Sequence, residues 1–307
     1  MTELTPNSAV ATAGIASAGI VAAGDDAADT NSPAALRRVA EETARLAGAY
    51  LRTVFRGQMT IDTKRDRHDL VTEHDLAAED IIVPHLLAVS PTWRVVGEEG
   101  GVRGSGDIVT WYVDPIDGTS NFAQGLAFFC VSIGAEIDGE LVAGAIYDPI
   151  ADRMYSADDA GAYLDGERLL TRTALTADAA TVITGYPTAA DVEHDGPRSL
   201  AGFGTLVDAF SSVRRTGSGA LTLAHVAAGW VDSALGTSVN PWDVAAGALI
   251  VRRAGGTYRP LHYSAATAGT PDHMAPGFVA VGPGGDYPVL DALANDIEAR
   301  RTRGAAR

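Results

Sequence analysis

The chain has 307 residues, 46% of them hydrophobic, and a formal net charge of −16. That charge repels a phosphate backbone and excludes a general nucleic-acid binder, although a small phosphorylated molecule remains acceptable wherever cations reverse the local field. The length suits two closely packed lobes, and the single cysteine, Cys130 in an apolar run, is expected to be a buried, inert thiol in a reducing cytoplasm.

Residues 1–33 read as an Ala-rich extension without strong periodicity. The uncharged run Ala9–Ala23 has no Lys or Arg before it and is diluted by Ala and Gly. Neither a secretory signal nor a membrane span is expected from it. A first lobe is predicted over 34–170. It opens with a helix from Pro33 or Ala34 to about Phe55, with Leu36, Val39, Thr43, Leu46, Tyr50 and Val54 at helical spacing. Gln58–His68, with Lys64, Arg65 and Arg67, reads as a mobile loop or hairpin whose basic residues are solvated. A second helix should follow Asp69-Leu70-Val71-Thr72 and reach Val89, kinked or shortened by Pro84. In its first turn Asp75 favours the helix dipole, and His74 is expected at the surface.

Trp93–Val96 is a predicted strand ended by Gly97-Glu98-Glu99-Gly100, where glutamates bounded by glycines can project into a cleft. Gly101–Gly106 reads as a loop without the spacing of a nucleotide-binding fingerprint. The strand Ile108–Val113 then runs into Asp114-Pro115-Ile116-Asp117-Gly118-Thr119-Ser120. Pro115 biases Asp114 out of helical space, and Gly118 permits a tight turn and close approach of a ligand. If a helix starts there, Thr119 and Ser120 offer unpaired N–H groups beside two carboxylates. Carboxylates next to an anion site call for cations between them, which is the pattern of metal-assisted phosphate chemistry. Asp-Pro-x-Asp-Gly is equally good turn chemistry on its own.

Phe128–Ile137 and Glu140–Tyr147 form a predicted hairpin around Asp138-Gly139, continued by Arg153–Ser156 and Ala162–Leu164. From 171 to 307 strands and helices alternate, giving a second, α/β lobe. Its predicted strands are Thr181–Tyr186, Ser212–Arg215, Val231–Leu235 and Phe278–Gly282. Its helices are Ser199–Phe210, Ala220–Ala228, Trp242–Ala254 and Tyr287–Arg301. Asp243, in a helical first turn, has capping or dipole compensation as its default role. The small residues of Gly217-Ser218-Gly219 can simply permit close packing.

Four blocks together resemble the inositol monophosphatase family: Asp69-Leu70-Val71-Thr72-x-x-Asp75, Gly97-Glu98-Glu99, Asp114-Pro115-Ile116-Asp117-Gly118-Thr119, and Trp242-Asp243-x-Ala245-Ala246-Gly247. The likeness spans Arg37 to about Asp286. It implies an α/β fold, a layered α/β/α/β/α sandwich of the inositol monophosphatase and fructose-1,6-bisphosphatase type, with two or three Mg2+ ions in a cleft between lobes, and a homodimer. By resemblance, Glu98, Asp114 and the Ile116 carbonyl would hold the first ion, Asp114, Asp117 and Asp243 the second, and Asp75 and Glu98 a weaker third. Asp75, Glu98 and Thr119 would be the catalytic group, with Thr119 and Asp75 orienting and helping to deprotonate water. Gly118 and Thr119 N–H groups would hold phosphate oxygens. Lys64 falls at the family's mobile-loop lysine and Gly217, Ser218 and Gly219 at its substrate-binding turn.

The implied activity is hydrolysis of a small phosphorylated metabolite by metal-activated water, with no nucleic-acid or membrane partner and lithium sensitivity. In the inositol enzymes a glutamate seven residues before the last metal aspartate contacts the ring, and here that position is Gly236. With no acceptor there, the pocket should hold the alcohol half loosely or leave room for a larger group. Histidinol phosphate, a sugar phosphate or a nucleotide are the competing substrates. A protein-binding adaptor is the non-catalytic alternative, against which stands the full set of carboxylates.

Overall fold

The computed structural model describes residues 30–64, 70–264 and 269–305. The expected extension over residues 1–29 lies outside the described residues, as do Arg65, Arg67, His68 and Asp69. Helix α1 (Pro33–Val54) buries the stripe Leu36, Ala40, Ala44, Ala47 and Leu51. Strands β1 (Ile61–Thr63) and β2 (Leu70–Thr72) pair as an antiparallel ribbon that carries Lys64 at its end. Helix α2 (Glu73–Val89) continues through Pro84 to Val89. One proline removes one hydrogen bond, and the packing of Ile82 and Leu86 on either side keeps the helix whole.

Next come β3 (Trp93–Gly97), β4 (Gly101–Arg103), β5 (Val109–Asp117), the short helix α3 (Thr119–Ala123), β6 (Cys130–Ile137), β7 (Glu140–Asp148), β8 (Arg153–Ala157), β9 (Ala162–Leu164) and β10 (Glu167–Arg168). They form one eight-stranded sheet in the order β10-β9-β8-β7-β6-β5-β3-β4, mostly antiparallel, with β3 and β5 parallel. β4 was expected as loop. It is an exposed edge strand that backbone pairing with β3 holds, with no apolar pattern to announce it.

The remaining elements are β11 (Thr181–Thr184), α4 (Ala189–Asp195), α5 (Pro197–Ala209), β12 (Ser212–Arg214), α6 (Gly219–Ala227), β13 (Ser233–Gly236), α7 (Pro241–Arg253), β14 (Thr257–Leu261), β15 (Gly277–Val281) and α8 (Pro288–Ala305). Their sheet runs β12-β11-β13-β15-β14, parallel on one side and antiparallel on the other.

Five layers are joined by three apolar cores, the central one covering both faces of the middle helices. α1 and α2 pack on one face of the first sheet, α6 and α7 lie between the sheets, and α5 and α8 cover the far face of the second. The middle layer is tight because two sheet positions lack side chains. A Cβ on Gly134 would stand 2.7 Å from the Ala245 methyl, and one on Gly144 2.9 Å from the Ala246 Cα. That close approach seats the N-terminus of α7, and Asp243 with it, over β5 and β6.

Candidate active site

β5 is buried along its whole length and ends in the two aspartates. Its pairing with β6 holds through Asp114↔Ser132 and then slips, resuming at Asp117↔Cys130. Pro115 has no N–H for the ladder, so the bulge falls where the chain cannot pair, and it re-aims the flanking side chains. Asp114 Oδ1 accepts the Ile116 N–H at 3.0 Å, closing the turn. Gly118 follows with φ 105°, left-handed backbone that opens α3. That helix has only five residues, so any dipole it offers an anion is small.

Asp117 is held by the start of α6. Its carboxylate accepts the Ser218 hydroxyl, the Gly219 N–H at 3.1 Å and the Ala220 N–H at 2.6 Å, the first turn of α6. Asn121 Nδ2 donates 2.7 Å to the Thr216 carbonyl and fixes α3 against the same turn. Cys130 is buried beside Asp117, its thiol pushed up by burial and by the aspartates.

Glu98 follows the last residue of β3, its N–H on the Val113 carbonyl at 3.1 Å. The turn is organised by Glu79, which the sequence reading passed over. Its buried carboxylate accepts the N–H of Glu99 at 2.9 Å and of Gly100 at 2.6 Å. A Cβ on Gly97 or Gly100 would fall 2.6 or 2.4 Å from a Glu79 oxygen, so the glycines bracketing the glutamates make room for it. Lys64 Nζ donates to Glu98 Oε1 at 2.8 Å and also to Glu99. The basic residue expected to be solvated thus sits on the acidic cleft. Burial pushes Glu99 up to about 7, the lysine opposing the shift.

Asp75 is fully buried at the N-terminus of α2. Oδ2 accepts the Thr72 N–H and hydroxyl, each at 2.7 Å, and Oδ1 accepts the Thr119 hydroxyl at 2.8 Å. Thr119 Oγ1 also lies 3.0 Å from the Ile116 carbonyl. Burial raises Asp75, partly countered by these donors. His74 is not at the surface as expected. It is 8% exposed, its Nδ1 meets the Tyr50 hydroxyl at 2.8 Å, and it packs edge-on against Phe122.

Asp243 sits in the first turn of α7, where Oδ2 accepts the Asn240 N–H at 2.7 Å. Burial and then Asp117 push it up to about 8. Asp114 is driven well above the carboxylate range by burial, Glu98, Asp117 and Asp243, and Asp117 is raised by burial. Asp114, Asp117 and Asp243, with Glu98 from the turn after β3 beside them, are therefore crowded at a cost that a cation relieves.

No group of three His, Cys, Asp or Glu side chains among the described residues is arranged to hold an ion on its own. The donors are all hard oxygens, and the Ile116 carbonyl, waters and phosphate can complete their number. That set fits magnesium, which keeps several waters and needs few carboxylates. It does not fit zinc, which favours imidazole and thiolate.

A cavity of about 200 Å³ opens beside Asp117 and Asp243 and is lined by Gly217, Ser218, Gly219 and Gly236. Gly217 takes φ 79° and Ser218 caps α6. Gly236, where a loosely held alcohol half or room for a larger group is expected, lines this cavity. Phe278 lies opposite in the register, and its ring comes within 2.4 Å of where a Gly236 Cβ would be.

The profile of the inositol monophosphatase family matches residues 32–298. The Nus factor SuhB of Pseudomonas aeruginosa is 37% identical over 223 residues, 71% of this chain and 82% of that protein. An inositol-1-monophosphatase of Mesorhizobium japonicum is 36% identical over 226 residues, 73% of this chain and 84% of that protein. Among solved structures, the extragenic suppressor protein suhB from Bartonella henselae aligns with a TM-score of 0.73 at 28% identity, covering 88% of this chain and 99% of that one.

Proposed function

The chain belongs to the inositol monophosphatase family and is a phosphomonoesterase of that kind, and on that premise we propose a magnesium-dependent hydrolase of a small phosphorylated metabolite. Glu98, Asp114, Asp117, Asp243 and the Ile116 carbonyl would hold the magnesium, with Asp75 and Glu98 at a weaker further ion. When bound, magnesium supplies positive charge that neutralises phosphate and lowers the pKa of a water.

This chain's residues do the rest. Thr119 gives its one hydroxyl proton to Asp75 Oδ1, so the remaining lone pairs of Oγ1 face the cleft as acceptors. A water there donates to Thr119, and as it attacks phosphorus its proton passes along that bond to Asp75. A buried carboxylate with a raised pKa is the stronger base for that task. The Gly118 and Thr119 N–H groups orient the phosphate, and the turn Gly217–Gly219 lines the alcohol side. No protein nucleophile is required.

The observation that supports this reading most is the meeting of Asp114, Glu98, Asp117 and Asp243, the last two on the wall of one cavity, with the Thr119–Asp75 pair close to Glu98. The test is release of inorganic phosphate from a panel of metabolite monoesters, with magnesium and with a chelator. No release from any ester at saturating magnesium overturns it. Inositol phosphate is one member of that panel, with histidinol phosphate, sugar phosphates and nucleotides as competitors. A homodimer belongs to the same proposal and is checked by light scattering. No helix among the described residues is long and apolar enough to cross a membrane.

One observation favours a second reading, an adaptor role, because the Pseudomonas relative is named a Nus factor. The carboxylates here are complete, so binding a partner would accompany hydrolysis and not replace it. Phosphate release by the purified chain separates the two.

A further inference from the structure

The cavity beside the carboxylates has walls of two kinds. Its backbone-rich side turns to Asp117 and Asp243, while Ile183, Leu235, Val239 and Phe278 form the apolar side. Seven hydroxyl residues also line it, but six have already spent their protons. Thr184 donates to the Leu235 carbonyl at 2.8 Å, and Thr188 and Thr237 donate to Asp191 at 2.9 and 3.1 Å. Ser218 donates to Asp117, and Thr222 to the Ser218 carbonyl at 2.6 Å. With the Thr222 proton committed, Thr216 is the donor in their 3.1 Å contact. Ser238, at the exposed rim, is the one hydroxyl with no such commitment among the described residues.

A polyol entering here could donate to the lining oxygens but would find few donors for its own, so each hydroxyl recovers only part of the hydrogen bonding it gives up to water, at a cost in binding free energy. A flat apolar group has no such loss. Phe278 offers it a ring fixed in place by stacking on Tyr258, with centroids 5.3 Å apart and planes 20° off parallel. The volume is sufficient, since a dry cavity of about 150 Å³ takes up benzene, and this one measures about 200 Å³. Gly236 is integral to the arrangement, because any Cβ there would strike the Phe278 ring.

We propose that this cavity selects phosphate esters of alcohols carrying a flat apolar or aromatic ring over phosphate esters of polyols, with Phe278 as the specificity-determining residue. The inference rests on the phosphatase reading above.

The test compares kcat/KM for 2-phenylethyl phosphate, myo-inositol 1-phosphate and ethyl phosphate, all with magnesium. These are esters of simple alcohols, so leaving-group chemistry does not masquerade as recognition. The wild-type enzyme should favour the phenylethyl ester over the inositol ester by at least tenfold, a result that needs no variant. Phe278→Leu, with its folding checked by thermal melting, should cut that ratio severalfold, and the inhibition constant of free 2-phenylethanol should rise in parallel. An inositol ester preferred by the wild type overturns the proposal, as does a ratio unmoved in a folded Phe278→Leu enzyme. If ethyl phosphate is hydrolysed while the preference is reversed, only the pocket assignment fails. If no ester is hydrolysed, the phosphatase reading fails and this inference with it.

Discussion

Asp243 gives the sharpest test of the charge balance in the cleft, because it can be neutralised without changing its shape. In Asp243→Asn the amide oxygen can still accept the Asn240 N–H that Oδ2 takes at 2.7 Å, so the start of α7 keeps its bond. What is lost is one negative charge whose pKa burial and Asp117 have moved from 3.8 to about 8. The sign follows from proton linkage. Without metal, the folded protein holds this proton more tightly than the unfolded chain, so stability falls as pH rises from about 4 to about 8. Each pH unit in that window is worth about 1.4 kcal/mol if Asp243 titrates alone. Asp114, Asp117 and Glu98 share the repulsion, so removing one charge relieves a fraction, about 2 kcal/mol at pH 8.

The assay is thermal melting in a chelator at pH 5 and pH 8, repeated with magnesium. Asp243→Asn should melt about 4–8 °C above wild type at pH 8 without metal, a gain of about 2–4 °C per kcal/mol, and the gain should shrink at pH 5. Magnesium should stabilise the wild type more than the variant, and phosphate release should be lost. A variant that melts below wild type at pH 8 in chelator would mean that the carboxylate is a net stabiliser without metal, and the account of the cleft as an anion cluster would be wrong.

Asp117→Asn should reduce phosphate release by roughly a hundredfold or more, on the scale of losing one charge-stabilising group at the transition state; near-normal turnover at saturating magnesium would remove Asp117 from the metal set. Lithium should inhibit, by competing for the site of Asp114, Asp117 and Asp243, and a flat lithium titration at optimal magnesium would count against that site. Glu79→Gln swaps an acceptor for a donor under the Glu99 and Gly100 N–H groups, so the magnesium concentration for half-maximal activity should rise about tenfold, as for other supports of metal ligands. An unchanged magnesium requirement would show that the turn holds itself. Gly236→Glu should lower stability by about 1–3 kcal/mol through overpacking against Phe278, and an unaltered melting temperature would mean that the ring swings aside.

The order of elements was largely legible because the apolar period is helical through α1 and α2, alternating from β3 to β9, and switches between the two from β11 onward. The exceptions have local causes. β14 carries Pro260 and Arg259 and sits at a sheet edge, where backbone pairing with β15 and not side-chain pattern makes the strand. α4 is a seven-residue helix started by the Thr188–Asp191 capping box, a signal present in the sequence and not used. His74 looked polar and exposed, yet its ring fills the gap between Tyr50 and Phe122, a contact that only the docking of α1 on α2 creates. Glu79 was readable in principle, standing one helical turn from Asp75 and so on the same face of α2. Its bonds to a distant turn were not, and neither was Phe278, whose place opposite Gly236 depends on the β13–β15 register.

Asp75 and Asp243 each admit two readings in the sequence, helix cap and site residue, and the structure makes these one arrangement. Asp75 stands at the third position of α2 and accepts Thr72, and Asp243 stands at the third position of α7 and accepts Asn240. Asp117 reaches the same kind of environment from outside, on the first N–H groups of α6. Three carboxylates, Asp75 and Asp117 buried and Asp243 partly so, therefore each meet the positive end of a helix, worth about 0.3–1 kcal/mol apiece and up to about 2 when partly buried. Asp114 has no helix start of its own, only the Ile116 N–H, and it is driven well above the carboxylate range, while Asp243 is pushed up to about 8 even with a helix start beneath it. The helices lower the cost of gathering the anions without cancelling it. A site neutralised completely by its own scaffold would have no remaining affinity for a cation, and one with no helix ends would not fold with its charges in place.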